Sequence, residues 1–228
     1  MAEKVTYPGR LIAIDGSRGK DVSAAAAAVA ASLKKAGIQC AISRWDASGL
    51  FTEFAAGATV GGGVSMRSLS LVYAADLAFR LRWEIRPVLE SGGVVIAAPF
   101  VDTAVAFGAC CGLDDGWIRE LLRFAPHASA YGRTEERKIN RPWKRKADRG
   151  YCEFAAAMLD VSAPKRASQA ARRVMISKLD HPAGHKCIAL DKEGIEKIVK
   201  RVKRANAATG SRRAAATRRS SRPRSGHK

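Results

Sequence analysis

Apolar and polar positions alternate between two rhythms along this chain, and the alternation predicts its elements. Leu11-Ile12-Ala13-Ile14 is a short continuous apolar run ending in Asp15-Gly16, the pattern of a strand buried on both faces. Ser23 to Lys35 is alanine-rich, with Val22, Val29 and Leu33 near one face, and predicts a helix that Ser23 caps and Gly37 ends. Ile38 to Trp45 alternates and predicts a second strand. Phe51 to Val64 is rich in Gly and Ala and breaks at Gly61-Gly62-Gly63. Leu69 to Leu89 predicts a long helix, with Leu71, Ala75, Ala78 and Leu81 at helical spacing and a local break at Pro87. Val94 to Phe100 predicts a buried strand, Asp115 to Phe124 a helix, and His127 to Gly132 a short strand. Tyr151 to Leu159 predicts a helix and Lys186 to Leu190 a last strand. Gly194 to Arg204 predicts an amphipathic helix with Ile195, Ile198, Val199 and Val202 inward.

Strands alternating with helices imply an α/β domain with a mostly parallel sheet, whose ligands bind at the carboxyl ends of the strands. After Asn206 no apolar residue larger than Ala occurs. That composition cannot bury enough surface to order itself, so residues 1–204 are expected to form the domain and 205–228 a disordered tail.

Charge adds detail. The net charge of +19 is concentrated in two places. Residues 197–228 hold 12 basic and no acidic residues, and 133–149 hold eight basic and three acidic ones. A flexible polycation of this kind favours non-specific, salt-sensitive contact with nucleic acid, or serves only to keep the chain soluble. No apolar run reaches the roughly 18 residues of a membrane span, and the N-terminus lacks an apolar leader core. The five scattered cysteines suit reduced thiols in the cytoplasm better than a disulfide framework.

Candidate chemistry begins at Arg10 to Ser23, R-L-I-A-I-D-G-S-R-G-K-D-V-S, which has the strand–loop–helix order of a phosphate-binding loop. On G-x-x-x-x-G-K-[ST], Gly16 is the first glycine and Ser23 the hydroxyl, but Asp21 and Val22 stand where glycine and lysine belong. With Gly19-Lys20 as the G-K pair, only two residues separate the glycines and Asp21 replaces the hydroxyl. The candidate nucleotide contacts are therefore Gly16, Ser17, Arg18, Gly19 and Ser23, with Ser23 as the Mg2+ ligand or a plain helix cap. Lys20 is the candidate substitute cation, or else a solvated loop charge.

The run from Ala74 to Gly108, A-A-D-L-A-F-R-L-R-W-E-I-R-P-V-L-E-S-G-G-V-V-I-A-A-P-F-V-D-T-A-V-A-F-G, resembles the thymidylate kinases. That family has A-A-D-R-A-Q-H, then I-x-P-x-L-x-x-G, a strand, and D-R-Y-x-D-S-x-x-A-Y-Q-G. Gly112-Leu113-Asp114 matches the G-L-D that follows, and the likeness of segment order runs over roughly residues 9 to 204. The resemblance implies a three-layer α/β/α P-loop sandwich with a mostly parallel five-stranded sheet, ATP and Mg2+ as cofactors, a nucleoside monophosphate of the dTMP type as substrate, and a homodimer. It also implies substrate roles for Arg44, Asp102 and Thr103, a catalytic role for Asp102, and a lid within 133–149 carrying Arg137, Arg141 and Arg145. Phe79, one helical turn before Trp83, is a candidate base-stacking wall or a core residue.

The functional letters depart from that pattern. Leu77 stands where the family has an arginine for the monophosphate, and Ala98-Pro99-Phe100 replace Asp-Arg-Tyr. Trp45-Asp46-Ala47-Ser48 replace most of R-E-P-G-G after Arg44. Losing one oriented donor in a preorganised site typically costs about 10²–10³ in rate. The expectation is a nucleotide-binding relative with impaired phosphoryl transfer. The alternative is an inactive relative that binds nucleotide or nucleic acid through the basic lid and tail. His181, His185 and Cys187, in H-P-A-G-H-K-C, have a spacing that invites a metal, but three ligands with no fourth nearby do not make a zinc motif. Cys110-Cys111 are expected to be buried at a helix start.

Overall fold

The computed structural model describes residues 6–17, 19–50, 53, 65–110, 112–134, 177, 179 and 184–220, with the side chains of Lys20, Met66, Cys110 and 209–220 outside the description. Five parallel strands form one sheet: β1 (Arg10–Asp15), β2 (Cys40–Arg44), β3 (Val94–Ala98), β4 (Ala130–Arg133) and β5 (Ile188–Ala189), in the order β2-β3-β1-β4-β5. The helices are α1 (Gly19–Lys35), α2 (Met66–Arg80), α3 (Arg86–Glu90), α4 (Val101–Cys110), α5 (Asp115–Leu121) and α6 (Lys192–Ser220).

The central strands are apolar without alternation because both of their faces are covered. Leu11 and Ala13 of β1 and Val95 and Ala97 of β3 pack with residues of α2, α4 and α5. Ile12, Ile14, Val94, Ile96 and Ala98 point the other way, onto α1 and α6. The result is the three-layer α/β/α arrangement expected of the sequence. β2 lies at an edge and alternates in burial, with Ser43 buried and Arg44 exposed.

α1 places Val22, Ala26, Val29 and Leu33 in one fully buried stripe. It opens at Gly19, so Ser23 is an exposed residue inside the helix and not its cap. Val22 must already be helical to lie in that stripe, which moves the start four residues earlier. Gly37 does end the helix, at φ 77°. Ile38 N–H donates to Leu33 O at 2.9 Å and Gly37 N–H to Lys34 O at 3.0 Å, closing the last turn in a Schellman motif.

The long central helix differs from expectation in two ways. Its buried stripe is Leu69, Tyr73, Asp76, Leu77 and Arg80, whereas Leu71, Ala75 and Ala78 are exposed. The inner face tolerates two charges because polar groups at the ends of β2 and β3 meet them. The break also comes before Pro87: Leu81–Ile85 form a π turn in which Arg86 N–H donates to Leu81 O. Proline has no N–H and its ring crowds the preceding turn, and a widened turn relieves both effects.

α4 follows β3 directly, so Cys110 lies at a helix end and not at a start. α6 continues to Ser220, past the composition change near residue 205 where an unordered tail was expected. Arg10 Nη2 donates to Ala205 O at 3.0 Å, and alanine-rich sequence favours the helix beyond that point. Among the described residues no helix is long and apolar enough to cross a membrane.

Candidate functional site

The carboxyl end of β1 carries Asp15, buried to 3% exposure, and it organises the ends of three elements. Asp15 Oδ1 accepts from Phe100 N–H at 2.8 Å and from Thr103 N–H at 3.0 Å, tying the β3–α4 junction to β1. Asp15 O accepts from Thr134 N–H at 3.1 Å, tying in the end of β4. Burial pushes the Asp15 carboxyl up to about 6, with the nearby Asp102 charge acting in the same direction.

The turn that follows is closed by side chains. Gly16 N–H donates to Thr103 Oγ1 at 3.2 Å, and the same hydroxyl donates to Gly16 O at 3.3 Å. A Cβ at Gly16 would collide with Thr134 Oγ1 and with Val22 Cγ2, so glycine is required here by close packing. A phosphate cradle needs that amide turned toward the ligand and room in front of it. At Gly16 the amide is engaged by Thr103 Oγ1, and the Asp15 and Asp102 side chains lie nearby. Ser23, the candidate Mg2+ ligand, is exposed on α1. Arg18 and the Lys20 side chain lie outside the described residues, as do Arg137, Arg141 and Arg145.

Asp102, in the first turn of α4, faces the segment before β5. His185 Nε2 stands 2.6 Å from Asp102 Oδ2, and Cys187 Sγ is 3.9 Å from the same oxygen. The His185 ring stacks on Tyr131 of β4, with centroids 3.6 Å apart and planes at 17°. Tyr131 in turn accepts from Ala128 N–H through its hydroxyl at 3.0 Å. Burial, followed by the charges of Asp102 and Asp15, pushes the Cys187 thiol up to about 12. The spacing of H-P-A-G-H-K-C names His181, His185 and Cys187 as candidate ligands without a fourth; His181 lies outside the described residues, and Asp102 joins the other two. Asp102 is 83 residues from His185, and the tertiary fold, with α4 on β1 and the segment before β5 laid beside its first turn, brings them together.

A second buried cluster lies at the ends of β2 and β3. Arg80 Nε donates to Ser43 Oγ at 2.9 Å, and its Nη2 donates to Ser43 O at 3.1 Å and Pro99 O at 2.9 Å. Asp76 Oδ1 accepts from Ser48 N–H at 3.0 Å and Ser48 Oγ–H at 2.9 Å. Arg80 Nη1 and Asp76 Oδ2 are 3.9 Å apart, with both side chains fully buried. Beside them Trp45 stacks on Tyr73 with centroids 4.7 Å apart, and the Tyr73 hydroxyl donates to Phe100 O. Both Arg80 and Tyr73 were missed. The available signal was the stripe Leu69-Tyr73-Asp76-Arg80, whose helical spacing puts two charges on the inner face.

The structure therefore brings Gly16, Asp102 and Thr103 together at one strand edge. It does not bring Arg44 or Phe79 to them. Arg44 is exposed at the end of the edge strand. Phe79 is on the outer face of α2, 40% exposed, with Trp83 at 62% one turn on, beneath the Arg82 guanidinium.

Comparison with curated proteins agrees with this architecture. The chain is 32% identical over 116 residues to the thymidylate kinase of Thermomicrobium roseum, covering 50% of this chain and 55% of that relative. It is 31% identical over 118 residues to the thymidylate kinase of Rhizorhabdus wittichii, covering 50% and 57%. With the thymidylate kinase of Leifsonia xyli subsp. xyli it shares 42% identity over 65 residues, covering 28% and 31%. The chain spans about half the length, or less, of the curated relatives it matches. No family model matches it. About half of the chain is thus similar to thymidylate kinases, and the parallel five-stranded α/β sheet is consistent with a P-loop-kinase-like fold.

Proposed function

We propose that this relative of the thymidylate kinases is a nucleotide-binding protein in which phosphoryl transfer from ATP to a dTMP-like monophosphate is impaired. The observation that carries the reading is the closure of Gly16: its amide is spent on the Thr103 hydroxyl. Phosphoryl transfer is almost entirely positioning and electrostatic stabilisation, so a cradle that cannot turn its amide to the phosphate loses the main source of rate. Two further departures support the reading. Leu77 is a fully buried apolar residue where the family has an arginine. Asp102, the position matched to a substrate or Mg2+ contact, has one oxygen occupied by His185.

A coupled assay with ATP and dTMP tests it, beside a melting measurement with ADP and with dTMP. The expected result is negligible turnover together with a rise in melting temperature. Ligand at 100 times its dissociation constant adds about 2.7 kcal/mol. Robust turnover that Lys20→Ala abolishes would overturn the impaired reading. The second reading, nucleic-acid binding, is favoured by the 12 basic residues in 197–228. It predicts no nucleotide shift, and salt-sensitive retention of DNA that is lost when residues 205–228 are removed.

A further inference from the structure

We propose that Asp102, His185 and Cys187 are the ligands of one transition-metal ion of the zinc class, held between the first turn of α4 and the segment entering β5. Their donor atoms all lie within 4.8 Å of one another. Ligands of a single tetrahedral zinc ion, bonded at about 2.0–2.3 Å, stand about 3–4 Å apart, so modest side-chain motion closes the set. His185 Nε2 and Asp102 Oδ2 meet directly, 2.6 Å apart.

Three observations point beyond a simple hydrogen bond between those two residues. Asp102 is only 5% exposed, yet its second oxygen, Oδ1, has no hydrogen-bond partner. A buried carboxylate oxygen left without a partner is costly, and an ion bound by this carboxylate would compensate it. Next, His185 and Cys187 both reach the same Asp102 oxygen, at 2.6 and 3.9 Å. The Tyr131 stack holds the imidazole there in advance. Finally, among the described residues the cluster sets two buried acids, Asp15 and Asp102, beside one imidazole and one thiol, with Arg133 as the flanking cation.

The donor set selects the class of ion. Thiolate and imidazole suit zinc and its neighbours, while magnesium and calcium take oxygen ligands. On binding, the Cys187 thiol proton leaves to solvent, the sulfur–metal bond forms, and the His185–Asp102 hydrogen bond is exchanged for two metal bonds. Three ligands from the described residues leave the fourth position to water, the arrangement of an open site. His185 and Cys187 are partly exposed, which gives an ion its way in.

The assignment is independent of nucleotide binding and is tested on the full chain, stripped with a chelator and titrated with Co2+ and then Zn2+. We expect one Co2+ per chain with a thiolate-to-cobalt charge-transfer band, displaced by one Zn2+. Cys187→Ser should abolish the band, and His185→Gln should weaken uptake by at least about tenfold, a loss at least as large as outer-shell substitutions cause. Cys40→Ser, on the opposite edge of the sheet, should change neither. No stoichiometric uptake by the folded chain, or a band that survives Cys187→Ser, overturns the proposal. Alkylation of the wild-type chain guards against a variant that fails to fold. One equivalent of Zn2+ should slow labelling of Cys187, and an unchanged rate counts against the site.

Discussion

Two buried charged clusters sit against the same sheet, and they are balanced differently. At the ends of β2 and β3, Asp76 and Arg80 form a pair whose formal charges cancel; Ser43, Ser48 and Pro99 bond Arg80 Nε and Nη2 and Asp76 Oδ1, and Arg80 Nη1 and Asp76 Oδ2 face each other at 3.9 Å. At the ends of β1 and β4, among the described residues, the charged and titratable neighbours of Asp15 and Asp102 are His185, Cys187 and Arg133, besides the Phe100 and Thr103 amides on Asp15. The first cluster has the composition of a structural strut. The second has the composition of a place that takes up something positive. A buried charge does not by itself mark a functional site, and the lack of local compensation is the more informative sign.

The largest expected effect tests the strut. Arg80→Met removes the cation and leaves Asp76 buried without it. Breaking such a pair costs about 3–5 kcal/mol, measured as a loss of urea-unfolding free energy. A loss below about 1 kcal/mol would mean that the two clusters do not differ in the way described.

The second cluster responds to pH instead. Asp15 titrates at about 6 in the folded chain against an ordinary value of 3.8. Its protonated form favours folding, so that stability is complete below about pH 4 and is lost as pH rises through 6. In chelator-treated protein, Asp15→Asn should match wild type at low pH and exceed it by about 2–3 kcal/mol at pH 7. A constant difference across that range would remove the electrostatic account of this cluster. Saturating Zn2+ should shrink the gap, since the ion supplies the missing charge.

A smaller effect probes the closed turn between the clusters. Gly16→Ala drives a Cβ into Thr134 Oγ1 and Val22, an overpacking worth about 1–3 kcal/mol. Adding Thr134→Ala removes the nearest obstacle, and the double variant should recover part of the loss. Additive losses would place the strain elsewhere. Smallest of all, Leu71→Gln on the outer face of α2 should change stability by less than about 0.5 kcal/mol, because that side chain is 51% exposed.

Much of this was legible in the chain itself. The apolar runs of β1 and β3, and the Val22-Val29-Leu33 stripe of α1, are local patterns with a single outcome. They gave the strand and helix types, and Gly37 gave an end. Leu71, Ala75 and Ala78 misled because alanine and leucine carry little information about which side of a helix is inward. The inner face was set by Tyr73, Asp76 and Arg80, whose polar atoms are tolerated only because β2 and β3 end beside them. The helix start at Gly19 was missed for a related reason: Ser23 has the composition of a cap, but the burial of Val22 requires helix before it.

The candidate site divides along the same line. The failure of the phosphate-loop spacing could be read directly, because it depends on residues within one short stretch. That the turn is sealed could not, because the atoms that seal it belong to Thr103 and Thr134, on other elements. His181, His185 and Cys187 declared their chemistry through spacing alone, yet nothing in that spacing pointed to Asp102. Local sequence dictates what each segment is, since backbone preference and side-chain period act over a few residues. Which groups end up within bonding distance depends on how the layers pack, and here the approach of the segment before β5 to the first turn of α4 joined Asp102 to a histidine and a cysteine more than eighty residues away.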